Sequence, residues 1–101
     1  MADKDNTVRL VAVGDVTGVP EGFFALTRPI IKGADIAFAQ LESKLAGRGI
    51  IRPSGRSQGS SPDPQRVKTL LDAGFSIMSL ASNHTLDSGE DPLLATIDLL
   101  R

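Results

Sequence analysis

The chain has 101 residues and a formal net charge of −1 at pH 7. This length allows one small domain or part of a larger one, and the near-neutral charge gives no electrostatic reason to expect binding to nucleic acids or membrane surfaces. The chain has no cysteine, which excludes disulfides and thiolate zinc sites. Any metal would therefore be held by oxygen ligands and by His84, the only histidine.

The N-terminal segment, MADKDNTVRL, is polar and charged and has no apolar signal core. No apolar run in the sequence approaches the ~20 residues that a helix needs to cross a membrane. We therefore expect a cytoplasmic protein whose partners include neither nucleic acid nor membrane.

The first predicted strand, Val8–Gly14, is rich in β-branched residues and is apolar at every position after Arg9. A continuous apolar run is typical of a parallel strand that is covered on both faces. Asp15 would follow at the carboxyl tip of this strand, where it could either bind a ligand or cap the turn.

A helical stripe at Gly22–Lys32 comes next, and Pro29 interrupts it, which predicts a kink or two short helices. The second predicted strand, Asp35–Leu41, is apolar and delivers Glu42 to its end. Glu42 is therefore a second carboxylate at a strand end, with a solvated loop residue as the alternative interpretation.

The segment Ser43–Pro62 changes character, because it is rich in glycine, serine and proline and carries Arg48, Arg52 and Arg56. We predict a long flexible surface loop here, and loops of this length are usually functional or disordered. The three arginines either face an anionic substrate, which could be a small molecule or a polymer, or belong to a solvated loop.

A helix is predicted from Asp63 to Ala73, where Gly74 is a suitable terminator. The third predicted strand, Phe75–Leu80, follows directly. A last helix is predicted over Asp91–Arg101, with its first residue as the cap. The resulting order, β-α-β-loop-α-β-α, predicts an α/β fold with a parallel sheet and right-handed crossovers.

Polar groups follow each predicted strand, namely Asp15, Glu42, and Asn83 with His84. Because the carboxyl ends of parallel strands lie along one edge of a sheet, these residues would converge at one crevice. Two carboxylates, a carboxamide oxygen and an imidazole form a plausible ligand set for a divalent metal ion such as Mg²⁺, Mn²⁺, Fe or Zn²⁺.

His84 can instead act as a general acid beside such a metal. Asp87 could accept the other ring N–H and fix the imidazole, or it could serve turn and cap chemistry ahead of the last helix. The Asn83-His84 pair could likewise be simple turn chemistry.

Three segments resemble the CapA family, the bacterial capsule or poly-γ-glutamate synthesis proteins with a calcineurin-like metallophosphoesterase fold. They are Gly14-Asp15-Val16, then Ala34–Ala37 leading to Gln40-Leu41-Glu42, then Ala73–Phe75 leading to Ser79–Gly89. The resemblance implies a four-layered α/β/β/α sandwich with a metal centre at the strand ends. It also implies that Asp15, Glu42 and Asn83 bind metal and that His84 is the catalytic imidazole.

The sequence departs from the family pattern at Gln40 and Ser82, where the family usually has asparagine, and at Thr17, where methionine is common. The further histidine ligands that the family carries downstream have no counterpart here. We therefore expect residues 1–101 to be the N-terminal part of a CapA-like domain, completed by a C-terminal half or by a partner chain.

Three functions remain open at this point. The first is a metal-dependent hydrolase of an ester, phosphoester or amide, in which water activated by the metal attacks and His84 protonates the leaving group. The second is a non-catalytic accessory or binding protein in poly-γ-glutamate or capsule polysaccharide biosynthesis. The third is a structural half-domain whose sheet edge docks onto another chain.

Overall fold

A computed structural model describes residues 5–17, 20–42, 45, 63 and 65–101 of the chain. In this part, strands and helices alternate: β1 (Leu10–Val16), α1 (Arg28–Lys32), β2 (Ile36–Leu41), α2 (Arg66–Ala73), β3 (Ile77–Ser79) and α3 (Glu90–Leu100). The described strands form one parallel sheet in the order β1-β2-β3. The predicted α/β class and parallel sheet are therefore confirmed.

Several element boundaries differ from the predicted ones. The first strand extends to Val16, so Asp15 lies within β1 and not after it. Residues 21–27 form turns, and only Arg28–Lys32 is helical, with Pro29 in the first turn, where its missing N–H is not needed. Helix α3 begins at Glu90, directly after Gly89 at φ 95°.

Gly74 ends α2 as the sequence predicts. Its φ is 102°, in the left-handed region that glycine adopts at little cost, and its N–H donates to the carbonyl oxygens of Leu70 and Leu71. A Cβ atom at this position would lie 2.9 Å from Cγ of Lys32, so α1 and α2 approach each other closely here.

The core lies on one face of the sheet, beneath α1 and α2. Along the central strand β2, Ala37, Ala39 and Leu41 are buried, and the alternate positions are half-buried. The buried residues that pack with them are Val16, Ile31, Leu45, Leu70, Ala73 and Phe75. The alternation follows from the period of two along a strand.

The opposite face of the sheet is apolar but only partly covered in the described part of the chain. The strand register places apolar side chains of this face opposite one another on neighbouring strands. We call this surface the open face, and it consists of Leu10, Ala12, Ile36, Phe38 and Ile77. Leu10 is 63% exposed and Ile77 is 48% exposed. Coverage of the first strand on both faces stays a prediction, because an apolar run does not reveal which elements pack against it.

A salt bridge joins α1 to α2 at the surface. Nη2 of Arg28 lies 3.0 Å from Oδ1 of Asp72, and Nε of Arg28 donates to the Asp72 carbonyl oxygen at 3.0 Å.

No helix among the described residues has both the length and the apolar character that crossing a membrane requires. The predicted loop at Ser43–Pro62 lies outside the described residues except for Leu45.

Candidate active site

A bulge in β1 determines which way Asp15 faces. Ala12 pairs with Phe38, but the next paired residue of β1 is Asp15, opposite Gln40, so β1 takes three steps where β2 takes two. In a strand, a shift of one residue moves a side chain to the other face. If β1 continued in regular register from Ala12, with no bulge, Asp15 would pair with Leu41 and face the core.

Gln40 contacts Asp15 directly across the two strands. Its Nε2 donates to Oδ1 of Asp15 at 2.9 Å. Gln40 also pairs in register with Ser79 of β3, so a polar row of Asp15, Gln40 and Ser79 crosses all three described strands. The sequence indicated Gln40 only as a departure from a family pattern, and its contact with Asp15 depends on the bulge.

The loop after β3 is held by short hydrogen-bonded turns. The Ser82 hydroxyl accepts the N–H of His84 at 3.1 Å. The Thr85 hydroxyl accepts the N–H of Ser82 at 3.0 Å and donates to the carbonyl oxygen of Leu80. A serine hydroxyl can form this turn much as an asparagine side chain does, so Ser82 leaves the backbone before His84 well positioned.

His84 lies between two carboxylates. Its Nδ1 is 2.5 Å from Oδ2 of Asp87, and its Nε2 is 3.9 Å from Oε1 of Glu42. The first contact assigns a proton to Nδ1, because an ionised carboxylate can only accept, and it leaves Nε2 directed towards Glu42. The second distance is too long for a hydrogen bond. The side chains of His84, Glu42 and Asp87 are 24%, 14% and 16% exposed.

The other predicted site residues are distributed less tightly. Asn83 is exposed in the turn before His84, and Asp15 lies in the polar row with Gln40. Arg48, Arg52 and Arg56 lie outside the described residues. Of the predicted set, side-chain contacts therefore bring together Glu42, His84 and Asp87.

The described residues include donor groups of the type that bind a divalent metal ion, but too few of them lie close together to hold one. A carboxylate and an imidazole, as in Glu42 and His84, suit Mn²⁺, Fe or Zn²⁺. Within residues 5–17, 20–42, 45, 63 and 65–101, however, no three His, Cys, Asp or Glu side chains lie close enough to hold a metal ion. Zinc sites in proteins use at least three protein ligands, so this pair is at most part of a ligand set.

A small cavity of about 20 Å³ lies beside His84, which is room for about one water molecule. Its lining residues come from β2, the loop after β3 and α3: Leu41, Glu42, Leu80, His84, Thr85, Leu93 and Thr96. A much larger groove, of about 1080 Å³, lies beside α2 and contains none of the predicted site residues among its described lining. The chemistry of the small cavity, and not the size of the groove, makes it the candidate site.

Comparison with known proteins identifies the family. Residues 9–101 match the family described as bacterial capsule synthesis protein PGA_cap. A search of curated proteins finds no significant match. The matched range covers the three described strands and every predicted site residue, from Asp15 to Asp87. The chain therefore belongs to the bacterial capsule synthesis protein family, as its resemblance to CapA proteins predicts.

Proposed function

We propose that this chain carries the acid–base group and part of the metal-binding set of a metal-dependent hydrolase in capsule or poly-γ-glutamate synthesis. The observation that supports this most strongly is the alignment of Asp87, His84 and Glu42 around one imidazole ring. Membership of the capsule synthesis family supplies the biological setting. The bond cleaved is an ester, phosphoester or amide of an anionic small molecule or polymer.

His84 acts as the general acid in this proposal. The Asp87 carboxylate keeps Nδ1 protonated and stabilises the imidazolium, so that Nε2 can deliver a proton to the leaving group and take one back. The Asp87 contact also limits rotation of the ring, which keeps Nε2 directed towards the cavity shared with Glu42. Substrate would enter from the side on which His84 remains partly exposed.

Asp15, Glu42 and Asn83 would hold the metal ion. Such an ion, when bound, lowers the pKa of water and neutralises charge that develops on the substrate. Gln40 holds the Asp15 carboxylate by its hydrogen bond, and hydrogen-bonded ligands keep a preferred orientation. The remaining donors would come from a partner chain or from sequence outside these 101 residues. The open face supports this, because it has apolar surface for another element to cover.

Metal binding tests this function most directly. Mn²⁺ titration of the purified protein by calorimetry should give a defined stoichiometry, and Glu42→Gln, Asp15→Asn and Asn83→Ala should each weaken the affinity. Asp98→Asn is the matched control, because it removes an exposed carboxylate of α3 and should change nothing. Equal affinities for all four variants and the parent protein would refute the metal site.

A non-catalytic accessory role is the second candidate. It is favoured by the finding that the described residues bring no three potential metal ligands together. The two candidates differ in turnover, which can be measured with chromogenic phosphodiesters, esters and anilides in the presence of Mn²⁺. Metal binding without hydrolysis of any of them, together with retention of a capsule polymer on the immobilised protein, would favour the accessory role.

A further inference from the structure

Thr96 is a buried polar residue in the middle of α3. It is only 2% exposed, although its neighbours along the buried side of the helix are mainly apolar. A buried hydroxyl is unfavourable unless it is hydrogen-bonded, so its partner indicates what the residue does.

The partner of Thr96 is the chain that leaves β2. The backbone N–H of Leu45 donates to Oγ1 of Thr96 at 3.1 Å, in a fully buried hydrogen bond between residues 51 positions apart. Leu45 itself is 0% exposed, so its N–H has no access to water. Loss of the hydroxyl would leave this buried donor without an acceptor.

This hydrogen bond lies three residues after Glu42. On its other side, the backbone N–H of Glu42 donates to the carbonyl oxygen of Val16 at 2.9 Å. The backbone around Glu42 is therefore anchored to β1 before the side chain and to α3 after it. Thr96 also lines the same small cavity as Glu42 and His84.

We infer that Thr96 is a positioning residue, whose hydroxyl holds the backbone at Leu45, three residues after Glu42, so that the Glu42 carboxylate faces Nε2 of His84. The inference rests on the proposed function. The site residues described so far lie at the end of β2 and in the loop after β3, and Thr96 adds a residue of α3 to them. Thr96 does not touch the reacting atoms in this view. It acts through the backbone at Leu45 and then through Glu42.

The first test compares Thr96→Val with Thr96→Ser. Valine has nearly the shape of threonine without the hydroxyl, and serine keeps the hydroxyl. In Thr96→Val, the Leu45 amide should exchange its hydrogen roughly tenfold faster by NMR. Mn²⁺ affinity should fall roughly tenfold, which is at the lower end of the loss in metal affinity seen when a residue that orients a metal ligand is removed. Thr96→Ser should keep both the exchange rate of the Leu45 amide and the Mn²⁺ affinity close to those of the parent protein. A serine variant that resembles Thr96→Val in either measurement would overturn the inference.

The second test places Thr96→Val in a Glu42→Gln background. If Thr96 acts through Glu42, the valine substitution should have no further effect on Mn²⁺ affinity there. Losses that simply add would overturn the inference and leave the metal role of Glu42 intact. If the Glu42→Gln variant binds Mn²⁺ as tightly as the parent protein, both the metal role of Glu42 and the positioning role of Thr96 are refuted. If Thr96→Val does not fold, Thr96→Ala replaces it in both tests, since alanine leaves space for water beside Leu45.

Discussion

Oδ2 of Asp87 lies 2.5 Å from Nδ1 of His84, one turn earlier in the same loop. The backbone N–H of Asp87 also donates to the carbonyl oxygen of His84 at 3.1 Å. The two contacts form a closed ring of side chain and backbone, so the orientation of the imidazole is set locally. This arrangement does not depend on the rest of the sheet, and it allows the role of Asp87 to be tested separately.

Asp87→Asn should lower turnover far more than metal affinity. The amide can still contact Nδ1, but it does not stabilise the imidazolium, so the proton transfer through Nε2 becomes slower. We expect a loss of roughly 10- to 100-fold in kcat for a substrate that the parent protein hydrolyses. Asp91→Asn is the control, since it removes an exposed carboxylate in the first turn of α3. Equal kcat values for the two variants would contradict the orienting role.

Gln40→Leu should weaken Mn²⁺ binding with little effect on folding. The substitution removes the donor that holds Oδ1 of Asp15. Because this hydrogen bond is exposed, we expect a change of less than about 1 kcal/mol in the free energy of unfolding. Calorimetric titration with Mn²⁺ and urea denaturation measure the two effects separately. A large loss of stability with unchanged Mn²⁺ affinity would show that Gln40 has a structural role only.

Gly74→Ala should destabilise the fold by roughly 1–3 kcal/mol. The alanine must adopt φ 102°, and its Cβ would meet Cγ of Lys32 at 2.9 Å. Gly14→Ala is the matched control, because nothing lies within 4 Å of a Cβ there and its φ is not positive. Urea denaturation of both variants measures the difference. Similar stabilities for the two would contradict the close approach of α1 and α2.

Asp35 should contribute to acid sensitivity. The backbone N–H of Arg9 donates to Oδ2 of Asp35 at 2.8 Å, and this hydrogen bond lowers the pKa of the carboxyl below its ordinary value. The unfolded chain has the higher pKa, about 3.9, so the contribution to stability is fully present above that pH. It is lost as the pH falls through the lower pKa of the folded state.

Urea denaturation of the parent protein and of Asp35→Asn between about pH 6 and pH 2 tests this. The parent should lose more of its unfolding free energy than the variant as the pH falls below about 4. Parallel pH dependence of the two proteins would mean that the Arg9 contact does not persist in solution.

Local sequence signals predicted what local chemistry determines. The glycine at position 74 and the order of strands and helices could be predicted, because a glycine at a helix end, a continuous apolar run and a helical apolar stripe are each patterns within a short stretch of sequence. The Asp87 orienting role was one of two interpretations from spacing alone. The metal role of Asp15, Glu42 and Asn83 stays a prediction.

Contacts between distant strands could not be predicted in the same way. The Asp15–Gln40 hydrogen bond depends on a bulge in one strand and on the register with the next, and Gly14 within an apolar run was its only sequence signal. Thr96 interrupts the apolar pattern of α3, but its partner is 51 residues away. Coverage of the second face of β1 also depends on distant elements, since it requires another part of a fold to pack against the strand.

The bulge in β1 also has a consequence for sequence alignment. Removal of Gly14 would let Val13 pair with Ala39 on the core side, and Asp15 would still reach Gln40. A relative that is one residue shorter between Ala12 and Asp15 can therefore present the same carboxylate at the same place. A single-residue gap at this point of an alignment is compatible with an unchanged position of the Asp15 carboxylate.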